Sequence, residues 1–303
     1  MDTFVQISIY DQGRSKEELD PIVDSAFKRM EEIECITNNY DDSSFVSLIN
    51  REAGERTIAL DSVMYDLMLT SDRINKLSAG AFDITIESVK QLWNFSDDNH
   101  QIPGDSLINQ KLHWVGAEHI KLEDNRLQFD SPDVNIDLGA IAKGYAIDQA
   151  INLLSQKGIT DAMVNGGGDL RTICSALTRG KRRVWIKHPR NSDVLFGYFR
   201  MDQGSVATSG DYERFFIYDS IRYHHILDPK TGYPARDCVS VTIQAPTATE
   251  ADGLATAVFV LGLNRGLELI ERLPDVEGII IFERDGKLDW EASSGLKKKF
   301  KTS

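Results

Sequence analysis

Residues 134–170 read VNIDLGAIAKGYAIDQAINLLSQKGITDAMVNGGGDL, and this stretch constrains the fold more than any other. A short apolar run, a segment of helical period and a second apolar run closed by three glycines predict strand, helix and strand in succession. Asp137 is the expected N-cap of the helix and Gly158 the residue just past its end. A helix held between two strands commits the chain to sheets with helices laid against them.

The flanking sequence agrees with such layers. TFVQISIY alternates as a strand, and a helix is predicted from Ser15, with Glu18 completing a capping box. Leu19, Ile22, Val23, Ala26, Met30 and Ile33 keep helical spacing, although Pro21 falls near the start. A second helix is predicted from Asp61 or Ser62 to Leu77, with Met64, Leu67 and Met68 on one face. The polar region 94–112, containing DDNHQIPGD, reads as a loop or inserted segment. RRVWIKH, LFGYFRM and CVSVTIQA read as strands, and RFFIYDSIRYHHIL as a hairpin turning near Asp219 and Ser220. A last helix covers about 250–266, and EGIIIFERDGKLDWEA is a hairpin with Asp285 and Gly286 at its turn. No internal repeat or Gly/Ser-rich linker interrupts the series. The predicted class is α+β, with mixed or antiparallel sheets and flanking helices in one interwoven unit over residues 1–303.

Charge narrows the function. The 34 Lys and Arg stand against 47 Asp and Glu, a net of −13, which argues against a general nucleic-acid or anionic-membrane binder. The lysines at 297–299 read as a solvated tail. Cys35, Cys174 and Cys238 are odd in number and widely spaced, forming neither a disulfide framework nor a paired-cysteine zinc motif. No apolar run is expected to reach the roughly 20 residues of a membrane-spanning helix. The start MDTFVQISIY lacks a signal pattern, which leaves two locations open: extracytoplasmic if a leader was removed, cytoplasmic if Met1 is the native start.

Four features carry chemistry. In NGGGDL, residues 165–170, three glycines let backbone N–H groups converge on an anion or simply make a tight turn. Neither the phosphate loop ending in Gly-Lys-Ser/Thr nor the spaced-glycine dinucleotide fingerprint occurs. Asp252 and Thr256 lie one helical turn apart, two oxygen donors that suit a hard cation; alternatively, Thr249 caps the helix and Asp252 completes a capping box. Lys143 stands in the first turns of the central helix, where the macrodipole disfavours a cation, so it meets a bound anion or is a surface lysine paired with an acid. In HHILDPKTGYP, strand period sends His224 and His225 to opposite faces, so at most one can point into any one site; His225 is either a general base or a core histidine that donates to a backbone carbonyl.

DLGAIAKGYAID, NGGGDL, ATSGDYERFF, HHILDPKTGYPA and ADGLATAVFVLG, in that order and spacing, resemble the ApbE family, the FAD:protein FMN transferases. MDTF, NNYDDSSFVSLIN and AGAFDITIESVKQLW resemble its N-terminal half, so the likeness covers nearly the whole chain. The resemblance implies an ApbE-type, T-fold-like architecture. It implies Mg²⁺ held by Asp252, Thr256 and the carbonyl of Ala140, with Ala255 where some relatives carry a second Asp. FAD contacts would fall on Met1, Tyr40, Ala81, Phe82, Asp83, Asp137, Lys143 and Ile226. His225 would take the proton from a Ser or Thr hydroxyl of a client protein while AMP leaves, and His224 would be structural. Thr208, Ser209 and Gly210 border the same cleft or make a polar turn. The implied partners are FAD and flavoprotein subunits of membrane electron-transport complexes, with no nucleic acid, and the implied site of action is the outer face of the cytoplasmic membrane. An FAD pyrophosphatase giving FMN and AMP, or a passive FAD-binding protein, are the competing expectations.

Overall fold

A computed structural model describes residues 3–10, 13–95, 100–175 and 182–303. The chain starts with β1 (Val5–Ile9) and α1 (Lys16–Thr37). The Ser15 hydroxyl accepts the Glu18 N–H and the Glu18 carboxylate accepts the Ser15 N–H, so the capping box forms. Pro21 lies inside α1 and does not end it. There follow α2 (Phe45–Glu52), β2 (Ile58–Ala59) and α3 (Ser62–Leu77), the last capped by the Asp61 carboxylate on the Met64 N–H. Then come α4 (Glu87–Lys90), α5 (Asp105–Leu112), β3 (Ile120–Glu123) and β4 (Arg126–Phe129). The expected loop at 94–112 therefore contains a helix, because Ile108 and Leu112, four apart, bury one face against Trp93.

The strand expected before the central helix does not form. Residues 134–138 are irregular, and the N–H groups of Asn135, Ile136 and Asp137 go to Ser88 Oγ, Asn50 Oδ1 and the Ile84 carbonyl. Partners from distant segments replace a ladder. Nor is Asp137 the cap of α6 (Ala142–Gln156), whose N-cap position is Ile141. Gly158 does sit past its end, at φ 80°.

The later half comprises β5 (Ala162–Gly166), β6 (Asp169–Ile173), β7 (Arg182–His188), β8 (Asn191–Met201) and β9 (Gly204–Gly210). Next are β10 (Phe215–Tyr218), β11 (Ile221–His224), β12 (Ser240–Ala245) and α7 (Ala248–Arg272). The end is β13 (Glu277–Arg284), β14 (Lys287–Ala292), α8 (Ser294–Lys297) and β15 (Lys301–Thr302). Both predicted hairpin turns form, with positive φ at Asp219, Ser220, Asp285 and Gly286. Lys297, Lys298 and Lys299 are exposed as expected, but Phe300 is buried and β15 pairs with β8, so the end of the chain is tied down.

Seven strands make one antiparallel sheet in the order β1-β5-β6-β9-β12-β13-β14. Its two faces follow the period of two along β13: Ile280 and Phe282 join the large core under α6 and α7, while Ile279 and Ile281 join a core shared with Val184 and Ile186 of β7. Helices thus cover one face and the three-stranded sheet β15-β8-β7 the other. A third core, around Trp93, carries the two-stranded sheet β10-β11. The segment Ala248–Arg272 is two helical stretches joined by a kink at Gly262 (φ 77°, ψ −178°) rather than one straight helix; an 18-residue window of it has a mean hydropathy of 1.4, and with 56% of that window buried it runs through the large core.

Candidate functional site

The two histidines at the end of β11 have unlike surroundings. His224 is buried, edge-on to Phe259 at 5.4 Å. Its Nε2 donates to the Ala235 carbonyl at 2.7 Å and its Nδ1 accepts the Ile226 N–H at 3.3 Å. Both ring nitrogens are occupied, and burial pushes its pKa down to about 4. His225 is partly exposed and lines a cleft of about 590 Å³ with Tyr40, Glu87, Lys90 and Arg214. Its Nδ1 lies 3.3 Å from the Arg214 carbonyl. A carbonyl only accepts, so Nδ1 carries the proton and Nε2 the lone pair. Withdrawal from solvent, then the Lys90 ammonium and His224, push this pKa down to about 3, so the ring is neutral across ordinary pH.

Lys90 ties the cleft wall together. It forms an ion pair with Asp137 and lies 4.0 Å from Glu87. Burial raises the Asp137 carboxyl, but Lys90 and the Gly139 N–H at 2.8 Å outweigh it and hold the pKa below the usual range. Glu87, buried beside Asp137, is pushed up to about 7. The Trp93 indole donates to the Gly232 carbonyl at 2.9 Å, anchoring the turn after the histidines to the same segment. Gly232 is required there: its φ is 72°, and a Cβ would stand 2.6 Å from Ile108 Cγ2. Asp228 accepts the Lys230 N–H, as turn aspartates do.

Three residues past Asp137, the turn through Ala140 leads into α6 and a second polar centre. Lys143 Nζ lies 2.6 Å from Asp169 Oδ2, and the Asp169 and Asp252 carboxylates outweigh burial and raise its pKa. The anion that offsets the helix dipole within the chain is therefore Asp169. Asp252 is buried on α7, and its Oδ2 accepts the Gly144 N–H at 2.9 Å. Burial, with Asp169 and Asp148 adding to it against Lys143, pushes its carboxyl up to about 7. The capping box at Thr249 and Asp252 does not form, because the N-cap of α7 is Thr247, whose hydroxyl accepts the Glu250 N–H.

The residues present fit a hard cation. A buried carboxylate held so high gains from positive charge. Thr256 Oγ1, one turn on, contacts Ser209 Oγ at 3.2 Å, and Ile141, next to Ala140, packs over Gly253, next to Asp252. The donors are oxygen only, as magnesium prefers. Among the described residues no group of three or more His, Cys, Asp or Glu gathers, so a cation here needs further oxygens, such as phosphate.

The remaining expected contacts divide. Tyr40 stands at the cleft mouth, 70% exposed. Ala81, Phe82 and Ile226 are buried, with Phe82 and Ile226 in the main core, so their side chains face protein. Both Asp83 oxygens are taken, by Thr85 and Asn75, and burial raises its pKa. Met1 lies outside the described residues. In NGGGDL, Gly167 and Gly168 have positive φ, and their N–H groups go to the Phe4 carbonyl and Asn165 Oδ1, which makes this a turn whose amides serve the fold. Thr208, Ser209 and Gly210 belong to β9, where Thr208 N–H donates to Asp169 Oδ1. Sequence reasoning missed Lys90, Glu87 and Asp148. Asp148 is buried on α6 and accepts the Ala248 and Thr249 N–H groups, capping α7, while paired with Arg171 at 2.7 Å. A lone carboxylate within GYAIDQAI was its only signal.

Comparison with known proteins gives concordant results. The ApbE family model matches residues 1–280. The FAD:protein FMN transferase of Treponema pallidum (strain Nichols) is 30% identical over 297 residues, spanning 92% of this chain and 82% of that protein. The crystal structure of the ApbE protein from Thermotoga maritima matches with a TM-score of 0.87 at 34% identity, covering 98% of this chain and 96% of the other. The flavin transferase ApbE from Vibrio cholerae matches with a TM-score of 0.86 at 29% identity, covering 99% and 96%.

Proposed function

The chain belongs to the ApbE family, and on that premise we propose that it transfers FMN from FAD to a Ser or Thr hydroxyl of a client flavoprotein, releasing AMP. The observation that carries this reading is His225, a neutral imidazole in an open cleft whose tautomer leaves Nε2 able to accept a proton.

In this mechanism His225 Nε2 takes the proton of the client hydroxyl as its oxygen attacks the FMN phosphorus. The new P–O bond forms while the bond to the AMP oxygen breaks. The protein's own surroundings keep the ring from protonation, and the negative diphosphate of FAD raises its basicity when the substrate is present. Lys143, steadied by Asp169, supplies positive charge to the phosphates, and Tyr40 offers an aromatic wall at the mouth. Asp252, Thr256 and the Ala140 carbonyl would hold Mg²⁺, which would stabilise charge on the phosphoryl oxygens. The implied clients are flavoprotein subunits of membrane electron-transport complexes, and the implied site of action is the outer face of the cytoplasmic membrane.

The test is to incubate the protein with FAD and Mg²⁺, with and without a peptide containing an acceptor Thr. The reading expects the peptide to gain FMN with one AMP released per adduct. Free FMN and AMP with no adduct on any acceptor would assign it to hydrolysis instead.

A further inference from the structure

The β10–β11 hairpin is anchored at its base and bare at its tip. In register, Phe216 pairs with Tyr223, and these two rings stack at 5.3 Å over Trp93 and Phe95. On the opposite face, His224 is held by Phe259 and Ala235. Both faces of the base are therefore fixed to the body of the protein. Beyond it, Ile217 is 62% exposed, Tyr218 53% and Ile221 46%; Phe215, opposite His224 at the base, lies under the Arg222 guanidinium. Among the described residues twelve large apolar side chains are exposed; these three share one hairpin tip, and a fourth, Tyr40, lines the cleft that His225 lines. Packing does not require them, and exposed apolar side chains gathered this way mark a surface that meets a partner.

The hairpin also leads into the reacting centre. The His225 N–H donates to the Arg214 carbonyl at 3.0 Å, continuing the ladder one residue past β11. At strand rise, Ile221 and His225 are about 13 Å apart along the same strand direction. The sheet has two strands; the outward Arg222 carbonyl of β11 accepts from the Arg236 guanidinium, and the outer edge of β10 faces away from its mate.

We propose that this hairpin is the docking element for the client protein, whose acceptor segment lies extended along it with an apolar side chain at the tip and delivers its hydroxyl to His225. The inference rests on the transferase reading above, since hydrolysis needs no such surface. Strand addition supplies backbone hydrogen bonds, and the tip residues supply apolar burial. A lipid surface or a second copy of this chain could also cover an apolar tip, but neither accounts for its continuity with the base.

The experiment compares wild type with the double variant Ile217→Asp and Ile221→Asp in the full chain. The readouts are FAD affinity, FMN transfer to a purified flavoprotein subunit bearing the acceptor Thr, self-association by light scattering, and sedimentation with phosphatidylglycerol vesicles. The expected result is unchanged FAD affinity, little change in kcat and a rise of about tenfold in KM for the subunit. An unchanged KM overturns the proposal, most plainly if the variant instead loses self-association or vesicle binding that the wild type has. If the wild type splits FAD but labels no protein, the transferase reading itself fails, and the docking role with it.

Discussion

The Gly144 N–H donates to Asp252 Oδ2 at 2.9 Å across 108 residues of sequence, and this bond joins the start of α6 to the carboxylate proposed to hold a cation. It is possible only because position 144 lacks a side chain, since a Cβ there would stand 2.2 Å from the Ala248 carbonyl oxygen.

Gly144→Ala is therefore expected to force α6 and α7 apart, at a cost of about 3 kcal/mol. Chemical denaturation measures the loss. A variant as stable as wild type would show that the helices separate freely and that the close approach carries no constraint.

As the proposed Mg²⁺ ligand, Asp252 is expected to couple stability to pH and to Mg²⁺. Its folded pKa of about 7 lies above the ordinary 3.8, so its contribution is fully present below pH 3.8 and is lost as pH rises through 7. A bound cation offsets that loss. At a concentration a hundredfold above its Kd at pH 8, Mg²⁺ is expected to stabilise by about 2.7 kcal/mol there, and the same concentration is expected to raise the Tm less at pH 6, where the proton on Asp252 competes with it. Asp252→Asn is expected to fold, to erase this dependence and to abolish transfer. Equal Mg²⁺ responses in the variant and the wild type would remove Asp252 from the site.

The histidines give the opposite pH slope. Their folded pKa values, about 4 for His224 and about 3 for His225, lie below the ordinary 6.5. The unfolded chain then takes up protons that the folded one refuses, so stability is fully present above pH 6.5 and falls as the pH drops toward 4 and then 3. Nitrogen-15 NMR of the rings should find both neutral at pH 5.5, with the proton of His225 on Nδ1. A His225 titration near 6.5 in the free protein would contradict the described surroundings.

Asp148→Ala should unfold the protein more readily than most single changes. It leaves the Ala248 and Thr249 N–H groups at the start of α7 without their acceptor and Arg171 without its buried partner, at a cost of about 3–5 kcal/mol. Thermal denaturation reads this directly, and a shift within the range of ordinary surface substitutions would argue against it.

What the sequence disclosed followed from the range of each interaction. The capping box at Ser15, the Asp61 cap and the turns at Asp219 and Asp285 depend on neighbours within a few residues, and each was legible. The irregular run before α6 was not, because its amides are satisfied by Asn50, Ser88 and Ile84, which pattern alone does not connect to it. The same holds for the site. Strand period separated His224 from His225, and the one-turn spacing of Asp252 and Thr256 could be read on one helix. Lys90 and Asp137, 47 residues apart, and Lys143 with Asp169, on α6 and β6, meet only in the folded chain.

The most direct test of the central claim compares wild type and His225→Ala for FMN transfer from FAD to an acceptor peptide, with FAD affinity measured on both. Binding should be retained and transfer should fall by about 10²- to 10⁴-fold, the usual contribution of a general base. Full transfer activity in a variant that binds FAD normally would contradict the account.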